Sequence, residues 1–246
     1  MGLFDKKYCD ICGEKIGLLG NRKLDDGNLC KECAKKLSPW FEERRHSTVE
    51  DIKQQLEYRE ANKEKVQNFR ITRRITTKKY TVFLDETQGN FTIAHNLDTK
   101  ENPDILSLSD VVQCNMDVKQ DRIEETYTKD GKTVSYQPPV YKYEYYYSMK
   151  IQVRSPWFDD MDFQLHSFAI EQENRAEMME MERVGNEIIA ALTGQAPRMQ
   201  SGMPMNQGMN QGMNQRMNQG MQQDMNYGMN QGMNRGMNQG MQQDMN

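Results

Sequence analysis

The sequence predicts an α+β protein of four segments: a small metal-organised module, a helical connector, an antiparallel β domain that ends in a helix, and a low-complexity tail. Three observations lead to this prediction. Two C-x2-C pairs lie near the N-terminus, apolar residues alternate with period two through the middle of the chain, and the C-terminal part consists mostly of Met, Asn, Gln and Gly. We place the segments at residues 1–46, 47–70, 71–194 and 195–246.

Four cysteines form the pairs Cys9/Cys12 and Cys30/Cys33. This spacing is typical of a zinc site, because Zn²⁺ takes four thiolates at about 2.3 Å and a two-residue gap lets a tight turn aim both sulfurs at one point. We therefore predict one structural Zn²⁺, with no coordination position left for a catalytic water. Two disulfides or an iron–sulfur cluster are the alternatives. Disulfides would need an oxidising compartment, and residues 1–7 contain no apolar segment typical of a signal peptide.

Local signals indicate how each cysteine pair is held. Gly13 favours a left-handed turn directly after the first pair, and residues 30–37 have the pattern of the first turns of a helix. Between the pairs, residues 16–19 and 24–29 predict a hairpin. Knuckle, hairpin and ligand-bearing helix in this order predict a treble-clef zinc finger. We expect Trp40 and Phe41 to cover its small core.

The connector is predicted as an amphipathic helix over residues 48–68. Ser47 and Thr48 are candidate N-caps, each with an acidic residue three positions later. The apolar stripe is thin, so we expect much of this helix to be solvated. Its members are Ile52, Leu56, Val66 and Phe69.

From residue 78 the apolar period changes to two, which predicts strands. The strongest alternation runs over residues 141–153, where the odd-numbered tyrosines share one face that we expect to be buried and Tyr146 points the other way. A helix is predicted from about Ala169 to Leu192, with Gly194 ending it. About seven antiparallel strands closed by one C-terminal helix predict a pleckstrin-homology-like sandwich or barrel. A generic α+β sandwich is the alternative.

The tail repeats a short unit with methionine at every fourth position from Met205 to Met245, and the block 209–226 returns in altered form at 229–246. Glycine in most repeats disfavours a helix, so we predict disorder. Thioethers are also soft ligands suited to Cu(I), and the close pair Met203 and Met205 is the candidate for such a site.

With these features in place, the chain resembles an uncharacterised family of bacterial, mainly Gram-positive, proteins with an N-terminal four-cysteine domain of unknown function. Four stretches carry the likeness: residues 9–13, 17–20, 29–33 and 47–52. The resemblance implies zinc binding and, in many relatives, a pleckstrin-homology-like second domain. It implies no activity and does not extend to the tail.

Few residues outside the cysteine pairs suggest chemistry. The sequence contains no nucleotide-binding, nucleophile-elbow or zinc-protease motif, so we expect no enzymatic activity and no catalytic residue. Cys114 is predicted to be a core thiol, and the three histidines share no motif. The acidic cluster at residues 159–162 is predicted to be a solvated turn, with calcium binding as the alternative.

One basic run stands out, with Ile71, Ile75 and threonines interleaved. It is a candidate anion-binding segment for phosphate backbone or lipid headgroups. Its cationic members are Arg70, Arg73, Arg74, Lys78 and Lys79.

The preferred function is that of a non-enzymatic, cytoplasmic, zinc-binding adaptor whose β domain binds a protein partner or an anionic membrane surface. The alternative is a nucleic-acid-binding zinc protein that uses residues 70–79. No apolar run is long enough to cross a membrane. The formal net charge of −4 does not indicate a nucleic-acid partner by itself.

Overall fold

Two antiparallel sheets and a C-terminal helix make up most of the structure, which is a computed structural model and describes residues 6–195. The predicted tail beyond residue 195, with its candidate Met203 and Met205 site, lies outside the described residues. The strands are β1 (Lys7–Tyr8), β2 (Lys15–Ile16), β3 (Arg22–Lys23), β4 (Asn28–Leu29), β5 (Arg73–Thr76), β6 (Thr81–Asp85), β7 (Asn90–Ala94), β8 (Leu106–Ser107), β9 (Val111–Glu124), β10 (Thr126–Lys129), β11 (Lys132–Ser135), β12 (Tyr141–Val153), β13 (Phe163–Gln164) and β14 (Ile170–Glu171). The α-helices are α1 (Lys31–Ala34), α2 (Val49–Asn68) and α3 (Arg175–Thr193).

The first large sheet is a simple meander in the order β5-β6-β7-β8. In the second, β12 is central: β9 pairs along its whole length on one edge, and β13 and β14 pair with separate parts of the other edge. Helix α3 packs against β9 and β5, and therefore contacts both sheets. The inward-facing residues of both sheets and of α3 form one hydrophobic core.

The long β9–β12 ladder lies only partly over this core. Tyr147, Met149 and Ile151 are buried, whereas Tyr141 is 39% exposed near the other end of the same face. The expectation that this whole face is buried was therefore wrong. Thirteen residues at about 3.4 Å each span about 44 Å, so the outer half of the ladder runs past the core and ends at the β10–β11 hairpin.

The C-terminal helix begins later than the sequence pattern predicts. Ile170 pairs with Tyr145 as part of β14, and α3 starts at Arg175. The Asn174 side chain caps the helix by accepting a hydrogen bond from the Glu177 amide. An Asn followed three residues later by Glu is a helix-start signal that could have corrected the boundary.

Helix α2 is not a solvated connector on its inner face. Its capping box joins Thr48 to Asp51, the second of the two predicted options. The buried side chains recur with spacings of three and four residues, which places them on one face. Three of the five are polar, which the thin apolar stripe did not predict. The five are Ile52, Gln55, Arg59, Asn62 and Val66.

Asp85 fixes the turn after β6 and ties it to the end of α2. Its carboxylate accepts hydrogen bonds from the Thr87 hydroxyl and from the amides of Gln88 and Arg70. Burial raises the pKa of this carboxyl, but these hydrogen bonds more than offset that effect, and the pKa lies below its ordinary value.

We expect Asp85→Asn to destabilise the protein by about 1–3 kcal/mol at neutral pH, because hydrogen bonds to a charged acceptor are lost. A depressed pKa contributes stability above the unfolded-state pKa of about 3.9, and that contribution is lost as the pH falls through the folded-state pKa. The difference between variant and wild type should therefore shrink below about pH 4. Urea unfolding from pH 7 to pH 3 measures this, with Asp130→Asn, at an exposed turn, as the control. If the free energies of unfolding of Asp85→Asn and wild type differ by the same amount at every pH, the Asp85 carboxylate does not stabilise the protein through its charge.

Candidate metal centre

The four paired cysteines lie together, with all four sulfur atoms within 4.8 Å of one another. None of them is in a disulfide. The Sγ atoms of Cys12 and Cys30 are 3.7 Å apart. Four sulfurs at about 2.3 Å from a tetrahedral Zn²⁺ would be separated by about 3.8 Å. The donor set and its spacing therefore fit the predicted ion.

A short hairpin holds the first pair. Strands β1 and β2 pair antiparallel on either side of it. The Gly13 amide donates to the Cys9 carbonyl at 2.8 Å, and the Cys9 amide donates to the Glu14 carbonyl at 2.9 Å. Gly13 has φ of +75°, the left-handed conformation predicted for it. This tight turn points both thiols to the same side.

A second hairpin and the start of α1 hold the other pair. Strand β3 pairs with β4, whereas Ile16 belongs to the first hairpin. The predicted strand over residues 16–19 was therefore wrong, since residues 17–20 form a turn, and the one predicted over 24–29 is correct only at Asn28–Leu29. Helix α1 is also shorter than the predicted 30–37, because it contains only Lys31–Ala34. Cys30 is its N-cap residue, and its sulfur accepts from the Cys33 amide.

Backbone amides donate to the sulfurs of Cys9 and Cys30, and they favour the thiolate of Cys9. The Cys30 amide donates to Cys9 Sγ at 3.3 Å. Burial raises the pKa of Cys9, but amides of Cys12, Cys30 and Ile11 outweigh this effect and lower the pKa to about 7. Burial and the neighbouring sulfurs raise the pKa of Cys33. Without a cation, these four thiols cannot all ionise at such short range, so the cluster is suited to a divalent metal.

Three residues connect the second hairpin to its surroundings. Asp10 accepts a 2.6 Å hydrogen bond from the Asn28 amide, and Asp26 accepts one of 2.7 Å from the Val49 amide at the start of α2. A Cβ on Gly27 would collide with both Asp10 and Val49. The Asp26-Gly27 pair reads only as a turn signal in the sequence, so its contact with α2 could not be predicted.

The module has a small core of its own that continues into α2. Ile52 of that helix belongs to this cluster, and Phe41 packs against it as expected. Trp40 packs instead against the core of the β domain, with its ring 6.1 Å from that of Tyr80. The expectation for Trp40 was therefore wrong. The cluster contains Cys9, Ile16, Leu24, Leu29, Cys33, Leu37 and Ile52.

The basic run at residues 70–79 does not form one patch. Arg73 makes a 2.9 Å ion pair with Glu187 of α3. Arg74 lies over the Phe83 ring, 5.7 Å from its centroid. Consecutive residues of a strand point to opposite faces, so these two arginines are separated by β5. Arg70, Lys78 and Lys79 are exposed.

The other candidate residues do not join a metal site. His46 is exposed and lies outside the cysteine cluster. Cys114 is buried, and burial raises the pKa of its thiol to about 12, as a core thiol requires. Asp162 of the acidic cluster makes a 2.7 Å ion pair with Lys150. Within residues 6–195, the four cysteines are the one group of His, Cys, Asp and Glu that could hold a metal.

A family model described as a domain of unknown function (DUF4428) matches residues 7–55. The match covers the cysteine module and the first turns of α2, and it agrees with the four-cysteine resemblance noted above. Neither a curated protein nor a solved structure matches the chain. The bacterial range and the pleckstrin-homology-like neighbour that the resemblance implies stay predictions. Across the described helices, none has the length and hydropathy needed to cross a bilayer.

Proposed function

We propose that this chain is a non-enzymatic interaction protein whose N-terminal module is folded around one structural Zn²⁺. The cluster of Cys9, Cys12, Cys30 and Cys33 carries the proposal, because its four sulfurs supply a full tetrahedral ligand set. A metal held by four thiolates has no open position for water or substrate. Its contribution is to stability rather than to chemistry.

The finer architecture is part of the proposal. The order of knuckle, β3–β4 hairpin and ligand-bearing α1 supports a treble-clef finger. Two antiparallel sheets with α3 packed on both support a pleckstrin-homology-like β domain. The boundaries at residues 46, 70 and 194 stay predictions. Because thiolate ligands persist in a reducing compartment, the proposal includes a cytoplasmic location.

A buried cluster of polar side chains connects the metal module to the β domain, which supports the proposal that the two act together. Asp104, in the loop before β8, accepts from Arg59 Nη1 of α2 at 2.8 Å and from the Ser38 hydroxyl at 2.7 Å. Ser38 follows closely after α1. Arg59 Nε also donates to the Lys36 carbonyl at 3.3 Å. One buried ion pair therefore connects the metal module, α2 and the β domain. A partner that binds the metal module or the β domain would find the two held in a fixed relative position.

The outer half of the β9–β12 ladder, which runs past the core, does not have the excess of positive charge that would favour nucleic acid. It carries acidic and basic side chains in similar numbers, including the salt bridge Lys119–Asp121. The basic run at residues 70–79 is divided between two faces of β5. Binding of nucleic acid by residues 70–79 therefore stays a prediction without a structural observation in its favour.

Cobalt substitution tests whether the metal is structural. We expect Co²⁺ to bind one per chain with the spectrum of a tetrahedral tetrathiolate site, and we expect added azide or imidazole to leave that spectrum unchanged. Cys12→Ser should weaken binding and alter the spectrum, whereas the matched variant Cys114→Ser should not. A spectrum that shifts with azide would reveal an open coordination position and contradict the proposal.

A further inference from the structure

The tip of the metal module carries two leucines that pack against nothing. Leu18 is 89% exposed and Leu19 is 90% exposed. Across residues 6–195 no other large apolar side chain is as exposed, and Phe168 comes next at 77%. Single exposed apolar residues are common in proteins, whereas neighbouring exposed apolar residues form a patch of the kind found at contact sites.

The turn that presents these leucines is well defined at its base. The Gly20 amide donates to the Gly17 carbonyl at 3.0 Å, which closes the turn. A Cβ on Gly20 would lie 3.3 Å from the Ile16 side chain, so the turn sits tightly on a residue of the module core. Since that core includes Cys9 and Cys33, the metal module determines where the two leucines point.

Cationic side chains lie beside the same tip. Arg22 Nη1 lies 3.4 Å from the Leu19 carbonyl, and Arg44 Nη1 donates to the Lys23 carbonyl at 3.3 Å. The next residue, Arg45, is exposed. Burial, followed by the charges of Arg22 and Arg45, lowers the pKa of Arg44. Residues 15–24 contain three basic residues and no acidic one.

We propose that the Leu18–Leu19 tip docks this protein on an anionic lipid bilayer. The leucines would enter the interfacial region, and Arg22, Lys23 and Arg45 would contact the phosphate headgroups. A bilayer fits better than a nucleic acid because the apolar element is an exposed turn, and it fits better than a protein groove because Arg22 and Lys23 follow this turn directly and would meet anionic headgroups as the leucines insert. The inference rests on the proposed function in one respect, since zinc must hold the module folded.

Vesicle cosedimentation of the full-length, zinc-loaded chain tests the proposal. We expect binding to vesicles of phosphatidylcholine mixed with phosphatidylglycerol, little binding to phosphatidylcholine alone, and a decrease as salt rises. Leu18→Ser with Leu19→Ser should weaken binding about tenfold or more. Arg22→Gln with Arg45→Gln should weaken it to a similar degree and reduce its salt dependence.

Matched variants on the β domain serve as controls. Phe168→Ser removes an exposed apolar side chain, and Lys129→Gln with Lys132→Gln removes two exposed charges on the β10–β11 hairpin. Both should leave vesicle binding unchanged. Zinc content is measured for every variant, and one Zn²⁺ per chain shows that the module is folded.

Three results would overturn the inference. The zinc-loaded protein could fail to bind vesicles at all, the leucine variant could bind as tightly as the wild type, or the wild type could bind neutral vesicles as tightly as anionic ones. A leucine variant that loses self-association or a protein partner while the wild type ignores vesicles would assign the tip to a protein contact instead. Each of these results leaves the proposed function standing if one Zn²⁺ is bound, whereas a folded module without zinc would remove the proposed function itself.

Discussion

Cys33→Ser is expected to unfold the N-terminal module while the β domain stays folded. The module has only a few buried apolar residues, and a domain of this size rarely buries enough surface to fold alone. Zinc binding by four thiolates contributes on the order of 10 kcal/mol. Loss of one buried ligand removes much of that contribution, and treatment with a chelator should have the same effect on the wild type.

Hydrogen exchange of backbone amides measures this effect for each segment. Residues 7–37 should lose protection in Cys33→Ser, and the first turn of α2 should lose it too because Ile52 packs on the module core. Strands β6, β7 and β12 should keep their protection. Cys114→Ser, which changes a buried thiol in the other core, is the matched control. Full protection of residues 7–37 without metal would show that the module does not need zinc.

Asp104→Ala should strongly destabilise the protein, although it lies outside the metal centre. It would leave the Arg59 guanidinium buried without its charged partner, and removal of one member of a buried ion pair costs about 3–5 kcal/mol. Ser38 would lose its partner as well. For a protein of this size, such a loss lowers the melting temperature by about 6–20 °C.

The double variant Arg59→Met with Asp104→Leu tests whether Asp104→Ala is destabilising because it leaves the Arg59 charge buried and unpaired. Replacing both charges by apolar side chains of similar volume is often neutral or stabilising. We therefore expect the double variant to recover most of the stability lost by Asp104→Ala. Lys100→Ala, in the same loop but exposed, is the control for local backbone effects. A cost below about 1 kcal/mol for Asp104→Ala would mean that the pair is solvated and does not join the modules.

The cysteine module could be predicted because its chemistry is local. Tetrahedral thiolate coordination requires short, regular spacing, and Gly13 is needed for a left-handed turn. The polar face of α2 could not be predicted in the same way. Arg59 and Asn62 look like solvated helix residues in the sequence, and their partners Asn102 and Asp104 lie some forty residues away in a loop without periodicity.

The β domain shows a second limit. Alternation along β12 predicts which side chains share a face, but it does not predict what covers that face. Tyr141 and Tyr147 have the same parity and differ in burial because β12 is longer than the core beneath it. Ile170 likewise fits both a helix stripe and a short strand, and only its pairing with Tyr145 decides between them.

The most direct test of the account is the metal and thiol content of protein purified without chelators. We predict one Zn²⁺ per chain, four thiols that react only after the metal is removed, and a fifth, Cys114, that reacts only after unfolding. Protein that contains no metal, or that holds Cys9, Cys12, Cys30 and Cys33 in disulfides, would contradict it.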